Sequence, residues 1–264
     1  MLRTATILIL IFALTGFRGG NNGYRKLSND SFSRGEVMKY RAFFGFITAG
    51  EGTMRIQNNI RTVNGRKCYK IDVFGETTGL ADVIYKVRDY WGTYIDTTSI
   101  IPHKFERDIK EGKYRKLEEI IFDHLNDSVS VKTYKYETKE LERDQRLSVP
   151  DNVQDLVSGY YYLRTVDFTK LNVGDTIKVD AIFEDELYDF KSIFRGREEI
   201  KTKLGYFDAL VISPIMPDNS IFDGEDAVQL WMSNDKNKIP LKVSAKMWMG
   251  SVGLEITEYT KGKD

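Results

Sequence analysis

The sequence predicts a mainly β protein: a large antiparallel curved sheet, or an open barrel or sandwich, with one main α-helix at about 151–167. Three observations carry this. Apolar and polar residues alternate with period two over many short runs. Turn-forming residues separate those runs at a pitch of about 8–15 residues. Only one stretch of the chain beyond its N-terminus has strong helical spacing, so strand–helix alternation, and with it a parallel α/β sheet, is excluded.

Met1-Leu2-Arg3-Thr4 is a short basic stretch, followed by an apolar run from Ala5 to Leu14 and by Thr15-Gly16. A permanent membrane helix needs about 20 apolar residues, so this shorter run reads as a secretory signal peptide over residues 1–20. Ala13-Leu14-Thr15 supplies an imperfect small-x-small cleavage site, and the absence of a nearby Cys argues against lipoprotein processing. Residues 21–34, rich in Asn, Ser, Gly and charge, read as a flexible N-terminal segment. Residues 35–264 then form a single antiparallel β domain.

The expected strands are Val37–Phe46, Gly52–Asn58, Cys68–Glu76, Asp89–Asp96, Lys104–Lys110, Lys116–Asp123 and Ser128–Tyr136. A second series comprises Thr176–Glu184, Leu187–Gly196, Glu198–Lys203, Phe207–Ser213 and Val228–Ser233. The last two alternate clearly: Leu241, Val243, Ala245, Met247 and Met249, then Val252, Leu254 and Ile256, form a hairpin turning at Gly250-Ser251. Asn64-Gly65, Glu111-Gly112, Asn126-Asp127, Asp223-Gly224 and Asn234-Asp235 provide turn chemistry between strands. In the helical stretch, Val153, Leu156, Val157, Tyr160 and Leu163 share one face, with Asp151 as N-cap and Gln154 completing a capping box. A shorter helical turn is expected at Leu80–Tyr85.

Composition narrows the function. The chain has 39 basic and 39 acidic residues, and its basic residues form no stripe, which disfavours nucleic-acid binding. Without residues 1–20 the net charge becomes −2. Abundant aromatic and β-branched residues disfavour disorder. One Cys and two His nearly exclude a Cys/His zinc site, and no metal or cofactor is expected. His103 and His124 read as surface or turn residues, and Cys68 as a structural or exposed thiol. No G-x-S-x-G, P-loop or dinucleotide fingerprint is present, so no catalytic residue is assigned. No later run reaches 18 apolar residues, so no integral membrane span is expected after signal cleavage.

The aromatic residues, 15 Tyr, 15 Phe and 3 Trp, build a β core in the plainer reading. In the sharper one they line an apolar groove roofed by the helix, with Tyr160, Trp231, Met247 and Trp248 as candidate ligand contacts. The function expected is non-catalytic binding of an apolar or amphipathic small molecule or lipid, or of an envelope protein partner. The alternative is an envelope glycan or lipid hydrolase using carboxylates. The location expected is exported, periplasmic or extracellular.

Several stretches resemble one known family. They are Val37–Tyr40 leading to Phe46–Gly50, Tyr85–Tyr90 with Ile101–Phe105, Val153–Leu156 with Tyr162–Arg164, and Leu230–Asp235 with Ile239–Leu241. In order and spacing they resemble DUF3108, exported bacterial proteins of unknown function. The resemblance implies an exported all-β domain and brings no catalytic residues.

Overall fold

The computed structural model describes residues 23–263 except 184, 216–225, 248 and 249. The signal-peptide expectation therefore lies outside the described residues. One antiparallel sheet of 15 strands dominates. Its first half runs through β1 (Val37–Phe44), β2 (Ile47–Ile56), β3 (Arg61–Val63), β4 (Arg66–Thr77), β5 (Arg88–Asp96), β6 (Pro102–Glu111), β7 (Tyr114–Asp123), β8 (Ser128–Tyr134) and β9 (Leu141–Ser148). Helix α1 (Gly79–Ile84) joins β4 to β5, and helix α2 (Leu156–Leu163) follows β9. The second half is β10 (Thr176–Phe183), β11 (Glu186–Thr202), β12 (Gly205–Pro214), β13 (Val228–Ser233), β14 (Pro240–Met247) and β15 (Gly250–Thr260).

The halves join where β15 pairs with β1, so the spatial order runs from β10 to β15, then through β1 to β9. Each half is a meander of near neighbours, which tight turns favour. The sheet curls. Helix α2 reaches both β5, where the Thr93 hydroxyl donates to Asp155 at 2.6 Å, and β10, where Gln154 bridges Ala181. The two outer edges also approach: Arg143 on β9 pairs with Asp185, beyond β10, at 2.8 Å.

Alternation places Met38, Tyr40, Ile71, Phe105 and Ile120 on the inner face of the first half. Phe194, Leu210, Ile212 and Leu230 line the corresponding face of the second.

Several expectations are corrected. The helix is shorter than 151–167, and its N-cap is Asp155 rather than Asp151. Asp155 accepts from the Val157 and Ser158 amides, and Ser158 rather than Gln154 closes the capping box. This start rotates the buried face onto Val157 and Tyr161, an i,i+4 pair, and leaves Leu156 40% exposed. His103 is fully buried in β6. Residues 23–34, expected to be a flexible arm, lie against the domain: Arg25 donates to the Ser99 and Ile100 carbonyls at 2.9 Å, and Phe32 is buried. The expected strands Leu187–Gly196 and Glu198–Lys203 are one strand, β11, bent by a bulge between Phe194 and Gly196, where Gly196 has φ 114°.

Candidate functional site

The inner face of the curled sheet encloses an apolar cavity of about 520 Å³. Its first wall comes from β1, β2, β4 and β5, with Tyr40, Ala42, Met54, Val73 and Trp91 facing in. The facing wall comes from β13, β14 and β15, through Val228, Leu230, Val243 and Leu254. The ring of Tyr160, on α2, closes one side.

Small residues make the room. In register, Ala42 lies opposite Gly50, Tyr40 opposite Gly52, and Gly52 opposite Gly75. Glycine is not sterically required at two of these positions. A Cβ on Gly52 would stand 3.6 Å from the nearest atom and one on Gly75 3.6 Å from Trp91, both ordinary contacts. Gly50 differs, because a Cβ there would fall 2.3 Å from the Glu76 carbonyl oxygen. Gly52 and Gly75 thus leave volume that larger side chains would fill.

Behind Tyr160 the interior is sealed. Arg164, which caps the C-terminus of α2, is fully buried and pairs bidentately with Glu36 at 2.6 and 2.7 Å. Its remaining donors reach the Ser31 and Asn237 carbonyls. Burial alone would lower the guanidinium's pKa, but Glu36 holds it above the ordinary arginine value. The ring of Phe32 meets Tyr161 edge-on at 4.8 Å, and Arg164 lies over both rings. Such a pair is stable only when its charges are well hydrogen-bonded, and here each guanidinium nitrogen has an acceptor. The Tyr160 and Tyr161 hydroxyls are buried without a hydrogen-bond partner among the described residues. Burial raises both phenols' pKa values, so they stay neutral.

Beyond this seal lies a polar cleft of about 620 Å³, bounded by Asp30, Arg34, Glu36, Lys236, Tyr259 and Lys261. At this end, too, His103 faces Asp96 at 3.4 Å, and Arg66 holds the same carboxylate at 2.6 Å. Burial raises the Asp96 pKa, but the His103 and Arg66 contacts outweigh it and hold the group below the usual carboxylate range. Burial pushes the Cys68 thiol up to about 12, so it is not a nucleophile at neutral pH. Among the described residues no group of three or more His, Cys, Asp or Glu is placed to hold a metal.

Three acids, Glu51, Glu76 and Asp89, are among the cavity's lining residues, and Asp89 is the buried one. It accepts from the Lys110 amide at 2.9 Å. Burial, reinforced by Asp89, raises the pKa of the neighbouring Glu111.

Of the residues singled out from sequence, Tyr160 lines the cavity. Trp231 does not: it occupies the alternate face of β13 from Leu230, where its indole donates to Glu198 and the Lys242 ammonium lies 5.2 Å above the ring. Met247 ends β14, its backbone paired with Gly250. Trp248 lies outside the described residues. Sequence reasoning missed Trp91, Met54 and the glycines. Trp91 was discoverable, because Asp89, Trp91 and Thr93 share one strand face.

A family model described as a protein of unknown function, DUF3108, matches residues 39–257. No curated protein matches. Among solved structures, a β-barrel-like protein of the DUF1849 domain from Brucella abortus aligns with TM-score 0.57 at 9% identity, covering 91% of this chain and 100% of that one. A hypothetical protein of Chlamydia trachomatis aligns with TM-score 0.35 at 9% identity over 89% of this chain and 90% of its own. A Bacteroides fragilis protein with a YmcC-like fold gives 0.32 at 11% identity over 90% and 100%. The Brucella likeness shows a shared β-barrel-like fold and nothing finer.

Proposed function

The chain belongs to the DUF3108 family, whose description assigns no activity, and from that premise we propose that it is a non-catalytic, exported binder of an apolar or amphipathic small molecule such as a lipid chain. The carrying observation is the cavity of about 520 Å³ lined by Tyr40, Met54, Val73, Trp91, Leu230, Val243 and Leu254. Small-molecule sites commonly occupy ~300–1,000 Å³ with mostly apolar walls. Burying apolar surface contributes roughly 25 cal/mol per Å², so an acyl chain needs no charged contact to bind. The basic-then-apolar residues 1–20 support export.

A hydrolytic reading has one observation in its favour, Asp89 in the cavity wall beside Glu111. The Lys110 amide already occupies one Asp89 oxygen, and the apolar lining suits retention of a chain better than attack on it. Native mass spectrometry of protein isolated from its own envelope, followed by lipid extraction, tests the proposal. A co-purifying lipid of fixed mass supports binding. Ligand-free protein, with ester or glycoside cleavage abolished by Asp89→Asn, supports the hydrolase instead.

A further inference from the structure

Resting on that cavity reading, we propose that the cavity end of the domain is a docking surface for a lipid bilayer carrying anionic headgroups. Helix α1 carries the first observation. It spans six residues, none of them buried. Leu80, Val83 and Ile84 follow the i, i+3, i+4 spacing of a core-facing stripe, yet they are 79%, 84% and 84% exposed. Folding gives these side chains nothing to cover, so their pattern serves a partner outside the chain.

The second observation is where α1 sits. The Thr78 amide, at its N-cap, donates to the Ala49 carbonyl at 3.0 Å, fixing the helix beside the start of β2. There the β1–β2 turn presents Phe46 fully to solvent and Ile47 largely so. The turn and the helix together form one apolar prominence.

The third is continuity with the cavity. The row Ala42–Leu254 belongs to the cavity wall. The next inward row toward this end is Phe44–Val252, and both are exposed by more than a third. The apolar wall therefore runs without interruption from the interior to the prominence. An acyl chain leaving a leaflet under Phe46 would pass from Phe44 and Val252 to Ala42 and Leu254 on its way in.

Charge selects the kind of surface. Lys86 follows α1, and its carbonyl accepts from Gly112 at 2.8 Å, which brings Lys113 of the β6–β7 turn alongside. Both lysines are exposed, and Lys86 lies within electrostatic reach of Asp82. The α1 acid, Asp82, is already held by Arg88 at 2.6 Å, and Arg88 also meets Glu76. Glu51 on β2 and Glu76 on β4 are the exposed acids nearby, and Glu76 is the one met by Arg88. Apolar side chains flanked by exposed lysines suit insertion among anionic headgroups.

The test floats the full exported chain with vesicles of equal parts phosphatidylglycerol and phosphatidylcholine, and with phosphatidylcholine alone. Binding of a fluorescent fatty acid is measured on the same samples. Wild type should float with the anionic vesicles, less so at high salt, and weakly with phosphatidylcholine alone. Phe46→Glu with Val83→Glu should weaken flotation by at least about tenfold while leaving fatty-acid affinity and Tm unchanged, because both side chains are exposed. Gly52→Leu should lose the fatty acid and still float. Equal flotation of wild type and the double variant overturns the proposal. So does fatty-acid binding without flotation, or a dimer broken by Val83→Glu in a protein that ignores vesicles. Flotation of a wild-type protein that binds no fatty acid would instead defeat the cavity reading and leave the docking surface standing.

Discussion

The two ends of the curled sheet use one topology for opposite chemistry. At one end the interior is an apolar cavity floored by glycines and walled by Trp91, Met54 and Leu230. At the other it is a polar cleft bordered by Asp30, Arg34, Lys236 and Lys261, with both histidines nearby. Between them stands the Arg164–Glu36 pair, clamped under Phe32 and Tyr161. The contrast teaches that the seal, not the sheet, separates an oily compartment from a wet one. An ion pair is a costly way to fill that space, because apolar residues of equal volume often serve as well. Here it ties the N-terminal segment, the helix end and the β13–β14 turn to one point.

The largest expected effect comes from breaking the seal. Arg164→Leu leaves Glu36 buried without its partner and should destabilise the fold by about 3–5 kcal/mol in urea unfolding. A loss below about 1 kcal/mol would mean that water already reaches Glu36 and that the two compartments communicate.

Next comes pH, which should act chiefly at the polar end. Burial pushes the His124 imidazole from 6.5 down to about 4. The unfolded chain therefore binds the proton more readily between those values, and stability falls as pH drops through that window. Asp155 acts in the opposite sense. Burial pushes its carboxyl from 3.8 up to about 6, so its contribution falls as pH rises through that range. His124→Gln keeps a donor for the Pro102 carbonyl and should remove the first slope, leaving stability that declines from pH 4 toward 6. An unchanged pH profile would show that His124 is solvated in the folded state.

The smallest effect sharpens the role of α2. Leu156→Asp should change stability by no more than about 0.5 kcal/mol, because the side chain faces out. Tyr161→Ala, on the buried face, is the contrasting control and should cost as much as breaking the seal, about 3–5 kcal/mol. Similar losses at both positions would place the helix in a different rotation against the sheet.

Much of this was readable from the chain. Period-two alternation located most strands, and the antiparallel architecture followed from it. The family resemblance was likewise visible in short motifs spread from Val37 to Leu241. The failures have specific causes. β9 reads Leu-Glu-Arg-Asp-Gln-Arg-Leu-Ser and lies at the sheet edge with most side chains exposed, so it has no apolar alternation to reveal it. β3 is three residues long. Leu156 and Tyr160 fit a helical stripe, but the stripe's phase depends on where capping begins, and Asp151 and Asp155 are equally good caps by type. The seal joins residues 128 positions apart, which no local pattern encodes. The cavity was hidden for a different reason. Glycines in strands signal turns or bulges to a sequence reader, whereas Gly52 and Gly75 mark missing volume, visible only once register sets them side by side.

The most direct test of the central claim, that the cavity holds an apolar ligand, is a fluorescence titration of a labelled fatty acid against wild type, Gly52→Leu and Lys261→Glu. Gly52→Leu places a side chain in the cavity where a Cβ meets only ordinary contacts, and Lys261→Glu alters only the polar cleft. Wild type should show saturable one-site binding, weakened at least about tenfold by Gly52→Leu at unchanged Tm and untouched by Lys261→Glu. No saturable binding, or binding lost with Lys261→Glu and kept with Gly52→Leu, would contradict a ligand-binding cavity.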